Sequence, residues 1–193
     1  MNPDVALFHL INNLTGTFPL LDSVARLIVN DYALPSLFAF IIGALWFAGR
    51  NQAEHEKYQR AVLYTLIGLL IANVIVKLFW MAFFRPRPFA MEEGVKLLFY
   101  RPSVSSFPSE PVATLSALAT GVFLFDRRLG WIMIALTIAF AFTRVLAGVH
   151  YPSDVIAGGL IGSLAVYLPY RYVPALEKVN GRIIGLAKKF GLA

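Results

Sequence analysis

The sequence predicts an all-α fold: a polytopic membrane helix bundle of five or six spans with an interfacial N-terminal helix. Three observations carry this. Of 193 residues, 58% are hydrophobic and only 15% are charged, against roughly 25% charged in globular domains. Such a chain cannot cover a soluble surface with charge, and it is too apolar to be intrinsically disordered. Five stretches approach the ~20 mostly apolar residues that a membrane helix needs. The Lys and Arg residues, 17 against 11 Asp and Glu, gather at alternate ends of those stretches. The net charge of +6 therefore reads as a basic cytoplasmic side, and no nucleic-acid partner is expected.

The elements follow in order. Residues 1–30 mix Phe8, Ile11, Leu20, Leu21, Leu27 and Ile28 with Asn12, Asn13, Asp22 and Arg26, the pattern of one or two interfacial amphipathic helices. A sixth, poorly hydrophobic span there would move the N-terminus inside. Span one, 34–48, is short but uncharged. Span two, 61–84, carries Lys77 near its end. Span three, 112–125, starts close to Ser109 and is rich in small residues. Span four, 130–149, carries Arg144 near its end. Span five, 155–170, is rich in Gly and Ala. Ala113, Ala117 and Gly121 in span three, and Gly158, Gly159 and Gly162 in span five, allow close helix packing. The turn 126–130 is tight, so spans three and four form a hairpin. Residues 174–193 alternate Leu176, Val179, Ile183, Leu186 and Phe190 with Lys178, Arg182, Lys188 and Lys189; a basic cytoplasmic tail helix on anionic lipid is expected. The whole, 1–193, reads as a single integral membrane domain.

With the N-terminus outside and five spans, the inner loops hold Arg50, Lys57, Arg60, Arg127, Arg128, Arg171, Lys178, Arg182, Lys188 and Lys189, most of the 17 basic residues. The C-terminus is then cytoplasmic. The absence of Cys excludes disulfides, thiolate metal sites and a thiol nucleophile.

Three unusual clusters then fall at the same, outer side. They are Phe84-Arg85-Pro86-Arg87-Pro88-Phe89, Ser106-Phe107-Pro108-Ser109-Glu110-Pro111, and Arg144-x5-His150-Tyr151-Pro152-Ser153-Asp154. Together they offer cations, a helix N-terminus, a His and a carboxylate at one depth. That set suits phosphate. Guanidinium gives bidentate hydrogen bonds to phosphoryl oxygens, and a helix beginning at Ser109 presents free N–H groups and a positive dipole end. His150 is a candidate nucleophile, and Asp154, in the first turn if Pro152 opens the helix, lies near enough to pair with it. Taken singly, each residue has an ordinary explanation: arginines anchor interfaces, prolines start helices, Ser109 caps one, and Lys77 snorkels. Their joint occurrence on one side is what points to a site.

The clusters resemble the signature of the type-2 phosphatidic-acid phosphatase superfamily, metal-independent lipid phosphatases. Its pattern is a lysine seven residues before an Arg-Pro pair, then Pro-Ser-x-His, then Ser-Arg-x5-His-x3-Asp. Arg144, His150 and Asp154 match the third motif, with Thr143 in the Ser place. Pro108 and Ser109 match the second, and Arg87-Pro88 the first. The resemblance runs over about 20–172 and is most like the bacitracin-resistance type of undecaprenyl-pyrophosphate phosphatase. It implies that His150 attacks phosphorus to form a phosphohistidine, that Asp154 orients it, and that Arg87, Arg144 and the Ser109 region clamp the phosphoryl oxygens. It implies no metal and no cofactor. The substrate would be a polyprenyl pyrophosphate in the outer leaflet of the plasma (inner) membrane, with membrane lipids as the other partners and the active site on the extracytoplasmic face.

There are two departures. Seven residues before Arg87 stands Trp80, while Lys77 lies ten before, about one helical turn further along. Either Lys77 still reaches the phosphate or Arg85 supplies the charge. The larger departure is Pro111, at the position of the second-motif histidine that protonates the leaving group. Proline has no proton to give, and general acid catalysis contributes typically 10²–10⁴-fold. An impaired hydrolase is therefore expected, with Pro111 either a natural or an engineered substitution. Glu110 is a candidate stand-in acid, but its side chain starts one residue away and is expected to point elsewhere. The alternatives are an inactive phospholipid-binding or lipid-transport protein on the same fold, and a phosphatase of another lipid phosphate.

Overall fold

The computed structural model describes residues 2–191 and contains helices and no strand among them. The helices are α1 (Pro3–Asn12), α2 (Pro19–Ile28), α3 (Ala33–Trp46), α4 (Gln52–Ala82), α5 (Pro88–Met91), α6 (Glu110–Phe125), α7 (Arg127–Leu146), α8 (Pro152–Tyr172) and α9 (Pro174–Lys189). Each of the five expected spans is found as a helix. Three of them, α4, α7 and α8, are long and apolar enough to cross a membrane, and α2 with α3, bent by 48°, meets the same criterion as one broken span. The protein is a multi-pass membrane protein.

α6 is the most enclosed of the span helices, with nine of its 16 residues buried. It packs against α3, α4, α7 and α8. Small residues permit this. A Cβ on Gly158 of α8 would strike the Ser109 carbonyl, and one on Gly162 would strike the Ala113 carbonyl. One on Gly121 would strike Thr65 of α4. The apolar core is built around Leu115, Leu118, Val122, Met133 and Phe140, with Phe8 of α1 and Phe38 of α3 reaching into it.

The α6–α7 hairpin turns on one residue. Asp126 ends α6 and caps α7, accepting a hydrogen bond from Leu129 N at 3.0 Å. α4 starts nine residues before the apolar stretch, because Asn51 caps it by accepting from Glu54 N at 3.0 Å and residues 52–60 are mostly good helix formers. At 31 residues it is roughly 46 Å long, more than a ~30 Å hydrocarbon core requires. Its polar first turns therefore stand clear of the bilayer. α9 docks there through an ion pair of Arg60 with Glu177 and another of Lys188 with Glu56 at 2.6 Å.

α1 is also tied down. Asn12 is buried, donates to the carbonyls of Lys96 and Leu146 at 2.8 Å each, and accepts from Lys96 N at 2.9 Å. The sequence places residues 1–30 at an interface; the tertiary contacts of Asn12 and Phe8 were not legible there, since they depend on what α1 meets.

Candidate active site

The end of α4, the start of α6, the end of α7 and the start of α8 meet at one end of the bundle, roofed by the loop 83–109. All three sequence clusters lie at that end. Gly148 makes the turn out of α7 with φ of 79°, a left-handed backbone that favours glycine. His150 follows, then Tyr151 as the cap residue of α8, and Asp154 in its first turn.

His150 is fully buried, and its two ring nitrogens have distinct partners. Nδ1 lies 2.9 Å from the Ser106 carbonyl oxygen. A carbonyl only accepts, so Nδ1 carries the proton and Nε2 keeps its lone pair. Nε2 faces Arg87 Nη1 at 3.2 Å and Ser109 Oγ at 3.3 Å. Burial pushes the imidazole down to about 4; Asp154 opposes the shift, and the Arg144 and Arg87 charges add to it. At neutral pH the ring is therefore an uncharged imidazole with a free nitrogen.

Asp154 is also fully buried. Its Oδ2 lies 3.7 Å from His150 Nδ1, close enough for charge but beyond hydrogen-bond length. Its hydrogen bonds go elsewhere. It accepts from Tyr151 N at 2.8 Å, from Ser106 Oγ and from Arg85 Nη1 at 2.6 Å. Ser106 thus touches both residues, its carbonyl to His150 and its hydroxyl to Asp154.

The arginines occupy different places. Arg87 is 5% exposed and is held by backbone carbonyls, Nε to Val104 at 3.0 Å and Nη1 to Val149 at 2.9 Å. Burial, with the Arg144 charge beside it, lowers it to about 10, so it remains a cation at neutral pH. Arg144 is 1% exposed. Its Nη1 donates to Val29 O at 3.0 Å and to Asp31 Oδ1 at 2.7 Å, and its Nε is buried with no partner among the described residues. Arg85 is engaged on the far side of Asp154. It donates to Ser153 Oγ at 2.7 Å and to Asp4 Oδ2 of α1 at 2.7 Å, and lies 4.1 Å over the Tyr151 ring.

A cavity of about 270 Å³ opens beside this cluster. Arg87, Arg144, Asp31, Tyr100, Glu110 and Pro111 line it, with Trp80, Pro35, Pro102 and Val104 as apolar neighbours. Pro111 therefore faces the cavity from the first turn of α6. Lys77 stands at the rim, 3.3 Å from Glu110 Oε1 and 4.1 Å from the Trp80 ring. Among the described residues no group of three or more His, Asp or Glu could hold a metal ion. A larger groove of about 440 Å³ runs between α6, α7 and α8 but has no charged residue in its lining.

Of the residues singled out from the sequence, His150, Asp154, Arg87 and Ser109 come together directly. Arg144 and Pro111 join them around the cavity, Arg85 stands behind Asp154, and Lys77 reaches only the rim. Sequence reasoning missed Asp4, Asp31 and Ser106 as contributors. Asp31 carried a signal, as an acid between two apolar segments. Asp4, which accepts from Ser153 149 residues away and from Arg85 81 residues away, carried none.

Comparison with known proteins gives the family and the fold. The family model of the PAP2 superfamily matches residues 61–178. The chain is 27% identical over 191 residues to the bacitracin transport permease protein BcrC of Bacillus licheniformis, covering 94% of this chain and 91% of that one. It is 28% identical over 171 residues to the undecaprenyl-diphosphatase BcrC of Bacillus subtilis, covering 89% and 84%. Among solved structures it resembles LpxE of Aquifex aeolicus, with a TM-score of 0.68, 28% identity and coverage of 87% and 94%. It shares the fold of a PAP2-type phosphatidylglycerolphosphate phosphatase of Bacillus subtilis, with a TM-score of 0.63, 20% identity and coverage of 87% and 85%. The chain belongs to the PAP2 superfamily.

Proposed function

We propose that this protein is a metal-independent membrane phosphatase that hydrolyses undecaprenyl pyrophosphate, or a related polyprenyl pyrophosphate, to the monophosphate and phosphate. One observation carries the reading. His150 Nε2 keeps its lone pair and faces Arg87 and Ser109, while Nδ1 is fixed by the Ser106 carbonyl. The undecaprenyl-diphosphatase among its relatives supports the substrate class.

Nε2 attacks the terminal phosphorus. The P–N bond forms as the P–O bond to the bridging oxygen breaks, and the lipid monophosphate leaves. Water then attacks the phosphohistidine and releases phosphate. Arg87, Arg144 through its unpaired Nε, and the Ser109 hydroxyl hold the phosphoryl oxygens. The Asp154 charge offsets the positive imidazole that forms. Asp154 also fixes Ser106 and Tyr151, and Arg85 fixes Asp154 in turn. Lys77 adds positive charge at the rim. The site faces the outside of the plasma (inner) membrane and the C-terminus the cytoplasm, on the distribution of Lys and Arg.

Pro111 restricts the substrate. A phosphomonoester expels an alkoxide, which needs a proton; a pyrophosphate expels a phosphate monoester, a far better leaving group. The loss of the histidine therefore costs pyrophosphates less than monoesters such as phosphatidic acid. Pro111 also favours a second reading, a lipid-phosphate binder or carrier with no turnover. Phosphate release from undecaprenyl pyrophosphate in detergent separates the two, measured for this chain and Pro111→His side by side. A phosphatase gains activity, by about 100-fold or more. No release by either protein from any lipid would establish the binder.

A further inference from the structure

We propose that Asp4 of α1 is a positioning residue for the reaction: acting through Arg85, it leaves Asp154 the negative charge that offsets the positive ring formed at His150. This rests on the phosphatase reading above.

α1 grips the turn that carries His150 from several sides. Before that turn, the Leu146 carbonyl accepts from Asn12 Nδ2 and from Thr15 Oγ1 at 2.8 Å each. Beside it, Phe8 packs on Tyr151, with ring centroids 5.6 Å apart. After it, Asp4 Oδ1 accepts from Ser153 N at 2.9 Å. That N–H lies in the first turn of α8, where a helix offers it no partner of its own. A carboxylate is also favoured at this positive end of the helix.

The same carboxylate reaches the catalytic pair. Asp4 Oδ2 accepts from Arg85 Nη2 at 2.7 Å and from Ser153 Oγ. Arg85 Nη1 in turn donates to Asp154 Oδ1 at 2.6 Å. Arg85 thus occupies Oδ1 and leaves Oδ2 facing His150 Nδ1. The side chains of Arg85 and Asp4 are largely covered, at 21% and 16% exposure, so salt screens their charges less than it would at an open surface.

Charge decides the consequence. One guanidinium between two carboxylates leaves this cluster one negative charge. With Asp4 uncharged, Arg85 would neutralise Asp154, and the cluster would have no charge left to offset the ring as the P–N bond forms. Neither Asp4 nor Arg85 lines the phosphate cavity, so the effect belongs to the chemical step and not to substrate capture.

The test is phosphate release from undecaprenyl pyrophosphate by the native chain, Asp4→Asn, Arg85→Gln and the double variant, with the set repeated in the Pro111→His background. Asparagine keeps an oxygen for Ser153 N and removes the charge. Asp4→Asn is expected to lose about 10- to 100-fold in kcat with KM unchanged. Once Arg85 is Gln, the same change is expected to cost little, because the cation that would neutralise Asp154 is gone. Phe8 and Asn12 still hold α1, so thermal unfolding in detergent should be unchanged. An undiminished kcat in Asp4→Asn overturns the proposal, as does a loss confined to KM. An equal loss with and without Arg85, or a loss that follows unfolding of the variant, also overturns it, since Asp4 would then serve only to anchor α1. In each of these cases release by the unmodified chain or by Pro111→His leaves the phosphatase reading standing. No release by either removes both.

Discussion

The Ser106 carbonyl lies 2.9 Å from His150 Nδ1, and this contact decides which ring nitrogen is left for the proposed attack on phosphorus. It assigns the proton to Nδ1 and the lone pair to Nε2. Burial lowers the ring to about 4, well under the ordinary value near 6.5. For a base the sign is simple: a depressed value means that the neutral, nucleophilic form persists as the pH falls. The acid limb of kcat/KM due to His150 is thus expected close to pH 4, with no inflection near 6.5. A pH profile in detergent checks this; a limb at 6.5 would mean that the ring is solvated in the working enzyme.

Arg144 has an unpaired, buried Nε beside a cavity that also holds Arg87. Hydrogen bonds to charged groups contribute about 1.5–3 kcal/mol. Arg144→Ala is therefore expected to weaken the binding of vanadate or phosphate by about 10- to 100-fold. Competition of either anion against phosphate release measures it, and an undiminished affinity would remove Arg144 from the anion site.

The closeness of α6 and α8 positions Ser109. A side chain on Gly158 would meet the Ser109 carbonyl, so Gly158→Leu must push the two helices apart. Overpacking of this kind costs about 1–3 kcal/mol. Thermal unfolding in detergent should show the lost stability, and phosphate release should fall with it because Ser109 moves from His150 Nε2. Unchanged values of both would mean that the contact is not rigid.

Much of this was readable in the sequence. The five apolar stretches are helices, the hairpin turns at Asp126, and His150 and Asp154 meet because their x3 spacing brackets one helix start, while Arg144 reaches the neighbouring cavity from the end of α7. What was not readable depends on distant partners. Arg144 pairs with Asp31, 113 residues away, and Arg85 pairs with Asp4, 81 residues away. No local pattern fixes such meetings. The sequence placed the Glu110 side chain elsewhere than Pro111, yet both line the same cavity. Adjacent residues point about 100° apart on a helix of 3.6 residues per turn, yet at the first turn a long side chain can still return to the same opening.

The account stands on His150 as the nucleophile. The direct measurement is phosphate release from undecaprenyl pyrophosphate by the native chain and by His150→Ala, with the phosphorylated protein trapped by alkaline denaturing quench of labelled substrate. The account predicts release by the native chain, an acid-labile phosphoryl group on it, and a loss of at least about 1,000-fold in the variant. Release that survives in His150→Ala would contradict it.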